Sequence, residues 1–339
     1  MDHFLATLIS EDIAQDFAFA FLSVLFEGLP FILIGTLISG FIDVYLPAKT
    51  LDKLLPKNRW LSIFTCGLLG LIIPVCECTV VPVIRRLIAK GLPLGSAFTY
   101  MLAAPIVNPI TFMSTYTAFA NEPLGIALSR IALGYVVSVS VGTLILFVPI
   151  ETILKRNIID RLHFSGVGHS KQDGTCCHTH QHVIPASHKY VAAMRTAVRD
   201  FLDVSVYFVI GITLMTIFKS AANTNSLLNY LAEDGRLLES TSFMIALSFI
   251  LSLCSTSDAF VVATSFERLS RVSKMAFLVF GPMMDIKLML LYQSMMKMRA
   301  VLMLAVLLFI LITASCLLWG NIYVDTLEWV EQLTKGGSL

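Results

Sequence analysis

Charge is scarce in this chain. Asp, Glu, Lys and Arg make up 14% of its 339 residues, against about 25% in a soluble domain, which excludes an ordinary water-soluble globule. The net charge of +1 gives none of the basic excess that nucleic acid binding needs, so no nucleic-acid partner is expected. The seven cysteines are scattered, mostly within apolar runs, and form no secreted disulfide framework. The opening "MDHFLATLISEDIAQD" has no basic n-region, so no cleavable signal peptide is expected. A G-x-x-x-x-G-K-[ST] segment is also missing, and with it P-loop ATP hydrolysis.

What is present is apolar. Hydrophobic residues make up 56% of the chain and mean hydropathy is +0.80. Many runs exceed the roughly 20 residues that span a bilayer as a helix. The fold class expected is an all-α polytopic membrane protein of about eight transmembrane helices, with lipid as its first partner. The candidate spans are Phe17–Ile42, Trp60–Ile84, Gly91–Asn121, Pro123–Ile150, Phe201–Phe218, Ser240–Phe266, Met275–Met296 and Ala300–Tyr323.

The second half reads as a degenerate copy of the first. Cys76 precedes Pro105 by 29 residues and Asn108 by 32; Cys254 precedes Pro282 by 28 and Asp285 by 31. Residues 1–154 and 199–339 form the two membrane repeats of four helices each, and 155–198 a flexible loop between them. With four spans each the repeats are parallel; a re-entrant second or third helix makes the count odd and the repeats inverted. Paired interrupted helices in matching places point to a transporter's binding site. With eight spans, the even loops hold thirteen Lys and Arg and the odd loops eight. That bias places both termini and the central loop in the cytoplasm, although the basic first loop argues the other way.

The chemistry concentrates in a few segments. In "IIPVCECTVVPVIRR", Pro74 and Pro82 favour a kink or an unwound stretch between them, because proline removes a backbone donor and clashes with the turn before it. On a helix Cys76 and Cys78 point about 200° apart. In an extended segment they share one face, with Glu77 on the other. A carboxylate at membrane depth is costly and marks function, and thiolates suit soft metals such as zinc and copper(I). The bland alternative makes the cysteines small buried hydrophobes and Glu77 the counterion of a nearby arginine.

The partner segments carry matching features. "APIVNP" holds Pro105, Asn108 and Pro109 and breaks the third helix. "LCSTSDAF" gathers Cys254, Ser255, Thr256, Ser257 and Asp258, and "FGPMMDIK" adds Pro282, Asp285 and Lys287. Ser and Thr can satisfy their own helix carbonyls, whereas Asp258 has no such cheap explanation. Asp285 and Lys287, two apart on a helix, do not face each other, so each meets a different partner, and Asp258 is one candidate for Lys287. The central loop holds Cys176, Cys177, His178, His180, His182 and His188. Compositionally this is a metal-capturing tract, zinc included, although the spacing is not that of a closed structural zinc site. Its alternative is a linker whose histidines do nothing.

"PVCECTVVPVIRRLIAKGLPLGSAFTYMLAAPIVNPIT", "LCSTSDAFVVA" and "FGPMMDIKLMLLY" resemble the predicted-permease family that includes the ArsP-type organoarsenical efflux permeases. The resemblance covers nearly the whole chain. It implies a permease rather than an enzyme, with no resident cofactor and two homologous halves. It also implies a second small membrane subunit as a partner to look for, and a homo-oligomer of the chain stands open beside it. The His/Cys loop departs from the family pattern and pulls towards a divalent metal. The expected function is movement of a thiophilic metal ion or metalloid through a site built by Cys76, Glu77, Cys78, Asn108, Cys254, Ser255, Asp258, Asp285 and Lys287. Two alternatives stand beside it: a membrane thiol oxidoreductase using Cys76 and Cys78, and a metal-sensing or assembly subunit centred on the loop.

Overall fold

The computed structural model describes residues 11–45, 56, 58–73, 75–119, 123–155, 186–221, 237–266 and 269–336. Among them the regular elements are helices, joined by one isolated antiparallel bridge between Leu154 and Met296. The long helices are α1 (Glu11–Tyr45), α6 (Pro123–Ile145), α8 (Ala186–Ala221) and α13 (Met298–Gly336). Among the described residues three segments are long and apolar enough to cross a membrane: Phe21–Phe41, Leu124–Ile145 and Met298–Asn321, with mean hydropathy 2.1, 1.8 and 3.0. The helix α8 begins inside the stretch expected to be loop.

The remaining helices are short. After α1 come α2 (Arg59–Leu68) with a 3₁₀ turn at Leu69–Leu71, α3 (Glu77–Ala89), α4 (Leu94–Ala103) and α5 (Pro109–Ala118). A single turn, α7 (Ile150–Ile153), follows α6. After α8 come α9 (Leu237–Leu251), α10 (Asp258–Ser265), α11 (Arg271–Phe280) and α12 (Ile286–Gln293). Polar caps start several of them. Asn58 Oδ1 accepts the Trp60 N–H, Asn108 Oδ1 the Ile110 N–H with Pro109 at the first helical position, and Asp285 Oδ1 the Leu288 N–H.

The span expected at Trp60–Ile84 is not one helix: the chain doubles back. Ser62 Oγ lies 2.8 Å from Ser96 Oγ, and a Cβ on Gly70 would stand 2.7 Å from the Val107 carbonyl oxygen. So α2 and α4 run side by side in the same direction, and α3 returns between them to the turn at Gly91, whose φ of +99° suits a residue without a Cβ. The same path recurs in α9–α10–α11. Ser240 Oγ lies 2.9 Å from Ser273 Oγ, and Ser248 Oγ donates to the Phe277 carbonyl at 3.1 Å. By contrast, α4 and α5 stack end to end along α6: Gly142 meets Thr99, Gly134 meets Ile106, and Arg130 reaches Thr115.

Pro82 corrects one expectation. It lies inside α3, which runs through it unbroken. The N–H it lacks is replaced by nothing in the ladder, but its own carbonyl accepts Ser39 Oγ at 3.1 Å, anchoring the helix to α1. The breaks fall instead after Leu71, at 104–108, at 252–257 and at 281–285, which include Pro105 and Pro282. Pro74 lies outside the described residues.

The pair α1–α8 packs closely against the broken helices. A Cβ on Gly35 would meet Thr79 Cβ at 2.3 Å, and one on Gly211 would meet Lys287 Cα at 2.8 Å. A backbone atom cannot step aside as a side-chain end can. Gly211→Ala is therefore expected to lower stability by about 1–3 kcal/mol through overpacking, read as an earlier thermal melt of the detergent-purified protein. An unchanged melt would mean that α8 can slide off α12 freely.

Candidate functional site

The two fold-back breaks bring their polar residues to one place. Cys76 caps α3 in extended backbone, so the helix starts at Glu77. The expected extended Cys-Glu-Cys segment therefore ends at its first residue, and Glu77 and Cys78 stand on the first helical turn. Glu77 is 1% exposed. Its Oε1 accepts Lys287 Nζ at 3.3 Å, and its Oε2 accepts Ser255 Oγ at 3.3 Å. Lys287 Nζ also donates to the Ser252 carbonyl at 3.1 Å and stands 3.5 Å from Asp285 Oδ2.

Asp285 and Lys287 thus do interact, contrary to the helical spacing argument. Asp285 is the N-cap of α12 in extended backbone, outside the helix, and its side chain turns towards the first turn. Ser252 anchors the same cluster from the other break. Its φ of +45° is a left-handed conformation that few non-glycine residues adopt. The turn is held by Ser252 Oγ, which donates to the Phe249 carbonyl and accepts the Ile286 N–H.

A second buried pair stands beside the first. Arg130 Nη2 donates to Asp258 Oδ2 at 2.6 Å and to the Ser255 carbonyl at 3.3 Å, while Nη1 donates to Thr115 Oγ1 at 2.8 Å. Both side chains are at most 2% exposed. Ser114 Oγ donates to the Thr256 carbonyl, tying α5 to the second break. The partner of Asp258 is therefore Arg130, and that of Lys287 is Glu77. Sequence reasoning left Arg130 out of the site. The signal was available: three acids at membrane depth against Lys287 alone leave a cation to be found.

The thiols border these pairs. Cys78 is buried, and Cys76 and Cys254 are half-buried. Cys76 Sγ donates to Thr79 Oγ1 at 3.4 Å, and Cys254 Sγ accepts from Thr256 Oγ1 at 3.6 Å. Asn108 is buried and spends its Oδ1 on the α5 cap. Among the described residues no three His, Cys, Asp or Glu side chains gather as metal ligands. Cys176, Cys177, His178, His180 and His182 lie outside the described residues. His188 falls within α8, but its side chain is not among those described.

The arrangement places five buried charges where two chain reversals meet, each carboxylate of a reversal answered by a cation from elsewhere in the chain. Such a centre fits a membrane carrier. The sequence profile of a predicted permease family, ArsP_1, matches residues 14–321. The UPF0718 protein YcgR of Bacillus subtilis is 34% identical over 299 residues, 88% of this chain and 95% of that protein. A Streptococcus mutans protein that carries the provisional name of a two-component membrane permease complex subunit is 32% identical over 300 residues, 88% of this chain and 93% of that one. No solved structure matches. With the profile spanning nearly the whole chain, this protein belongs to the predicted permease family.

Proposed function

We propose that the permease moves a thiophilic metal ion or metalloid across the cytoplasmic membrane through the centre between α3, α10 and α12. The observation that carries this reading is the meeting of the two breaks at Glu77, Lys287, Ser255 and Asp258, with Cys76, Cys78 and Cys254 alongside. Buried charge at membrane depth is retained where ions or protons pass, and thiols add affinity for soft species. A trivalent organoarsenical takes up only two thiols and asks less of this site than zinc, which takes four ligands. Asp258 Oδ1 is buried and makes no hydrogen bond among the described residues, which leaves an acceptor position for a coupling proton, whereas Asp285 Oδ2 already faces Lys287 Nζ at 3.5 Å.

Transport assayed in sealed proteoliposomes tests this. Zinc and a trivalent organoarsenical are compared for wild type and for Cys76→Ser/Cys78→Ser. Movement of either species that falls at least tenfold in the double variant is the expected outcome. Movement unaffected by the change would reduce the thiols to packing. Movement of neither, with the purified chain alone and with a co-purified second subunit, would overturn the substrate class. The name of the streptococcal relative supports including that second subunit.

A further inference from the structure

The geometry points to two inverted repeats that each cross the membrane three times, with the groove between α5 and α10 as the outer mouth of the path to the Glu77–Lys287 centre. The role of the groove as a mouth rests on the permease reading above; the topology does not.

The repeat is visible as contacts that recur at a shift of 177 or 178 residues. Ser62 and Ser96 pair, and so do Ser240 and Ser273. Gly70 abuts Ala104, and Ser248 abuts Gly281. Gly142 abuts Gly95, and Gly320 abuts Val272. Asn108 and Asp285 cap the matching helices α5 and α12. Within each repeat the first long helix crosses once, the doubled-back pair crosses not at all, the stacked broken pair crosses once, and the last long helix returns. Three crossings are odd, so the second repeat must enter upside down.

The helix directions agree. Corresponding helices run antiparallel where they touch. Gly28 of α1 meets Phe208 of α8, while Gly40 meets Ala193. At the other pair, Trp319 Nε1 of α13 donates to Ser129 Oγ near the start of α6, and the bridge Leu154–Met296 joins the segment after α6 to the one before α13. Parallel repeats would make these neighbours run the same way.

Charge then fixes the orientation. On this path the segments 46–59, 85–90, 155–199 and 294–299 share one side and hold sixteen Lys and Arg; 219–236, 268–274 and Lys335 share the other and hold six. The two remaining are Arg130 and Lys287, both buried. This split is steeper than the thirteen to eight of an eight-span path, and it removes the conflict over the basic first loop. The side with sixteen is cytoplasmic. The central His/Cys segment stays inside, while the start of α1 and the end of α13 lie outside.

The two faces of the centre differ. On the outer side, α5 and α10 border a cavity of about 870 Å³ lined by Ile110, Met113, Ser114, Thr256 and Phe260. Its inverted counterpart between α3 and α12 is shut: Val80 and Ile84 of α3 are fully buried, and the pair α1–α8 sits on it through Gly35, Ser39 and Gly211. Arg86 of α3 is clamped to Asp200 of α8 at 2.7 Å. The groove ends at Thr256 and Ser257, next in the chain to Ser255 and Asp258, with Glu77 and Lys287 themselves closed off, whereas opening inward requires α1–α8 to leave α3 and α12.

Added cysteines labelled with a membrane-impermeant maleimide in intact and lysed cells test the assignment, each read as the labelling gained over the native chain, whose seven cysteines remain. Lys53→Cys and Lys90→Cys are expected to label only after lysis, and Lys219→Cys and Met113→Cys already in intact cells. If Lys53→Cys and Lys90→Cys fall on opposite sides, the doubling back does not occur in the membrane and the inverted repeat is wrong. Protection of Met113→Cys while Lys219→Cys labels would overturn the outer mouth. Labelling of Lys90→Cys but not Lys219→Cys in intact cells would reverse the orientation and overturn it equally. Labelling needs no transport, so failure of every candidate substrate in proteoliposomes would leave this result standing.

Discussion

Lys287→Met is expected to be the most damaging single change in the chain. It leaves Glu77 and Asp285, both at most 1% exposed, without their shared cation. Removing one partner of a buried pair typically costs about 3–5 kcal/mol, a large share of a total stability of about 5–15 kcal/mol. The variant should accumulate poorly in the membrane and melt early in detergent. Glu77→Gln should do less harm, because Lys287 keeps Asp285 at 3.5 Å and the Ser252 carbonyl at 3.1 Å. The combination Glu77→Gln/Lys287→Met should recover part of the lost stability while transport stays abolished. A Lys287→Met protein that melts like wild type would show that the acids are neutral or hydrated without it.

Arg130 should separate charge from shape. Its guanidinium serves Thr115, Ser255 and Asp258 at once, a forked geometry that an ammonium cannot reproduce. Arg130→Lys is expected to keep the protein folded but to reduce transport by tenfold or more. Arg130→Met should destabilise it by about 3–5 kcal/mol. Asp258→Asn added to Arg130→Met should return part of that loss, giving a coupling energy of about 0.5–3 kcal/mol in a double-mutant cycle. Strict additivity of the two changes would mean that the 2.6 Å contact contributes nothing to the folded state.

The sequence made the costly residues legible but not their partners. Glu77, Asp258, Asp285 and Lys287 stand out because an ionised group in an apolar run demands an explanation. Which acid meets which base depends on contacts 128 and 210 residues apart, and no local pattern encodes them. Asp258 was one candidate for Lys287, but Lys287 meets Glu77 and Asp258 meets Arg130. The helix breaks were legible at 104–108 and 281–285, where proline and a capping Asn or Asp coincide. The doubling back of α2–α3 was not. Trp60–Ile84 is long enough to span a bilayer, and a proline break looks the same whether the chain continues or returns. The Ser62–Ser96 contact decides the matter, and two serines 34 residues apart carry no visible link.

The crosswise ion pairs also set a problem for the chain as it is made. Glu77 and Arg130 are translated long before Lys287 and Asp258, with 210 and 128 residues between the partners. At roughly 5–20 residues per second, Glu77 waits roughly 10–40 seconds for its lysine. During that interval the nascent first half holds a carboxylate and a guanidinium that it cannot neutralise with their mature partners. Release of this half into lipid before the second arrives would strand both charges in hydrocarbon. Insertion is therefore complete only when the last quarter of the chain has emerged, and a chain that stops before residue 287 leaves Glu77 without its lysine.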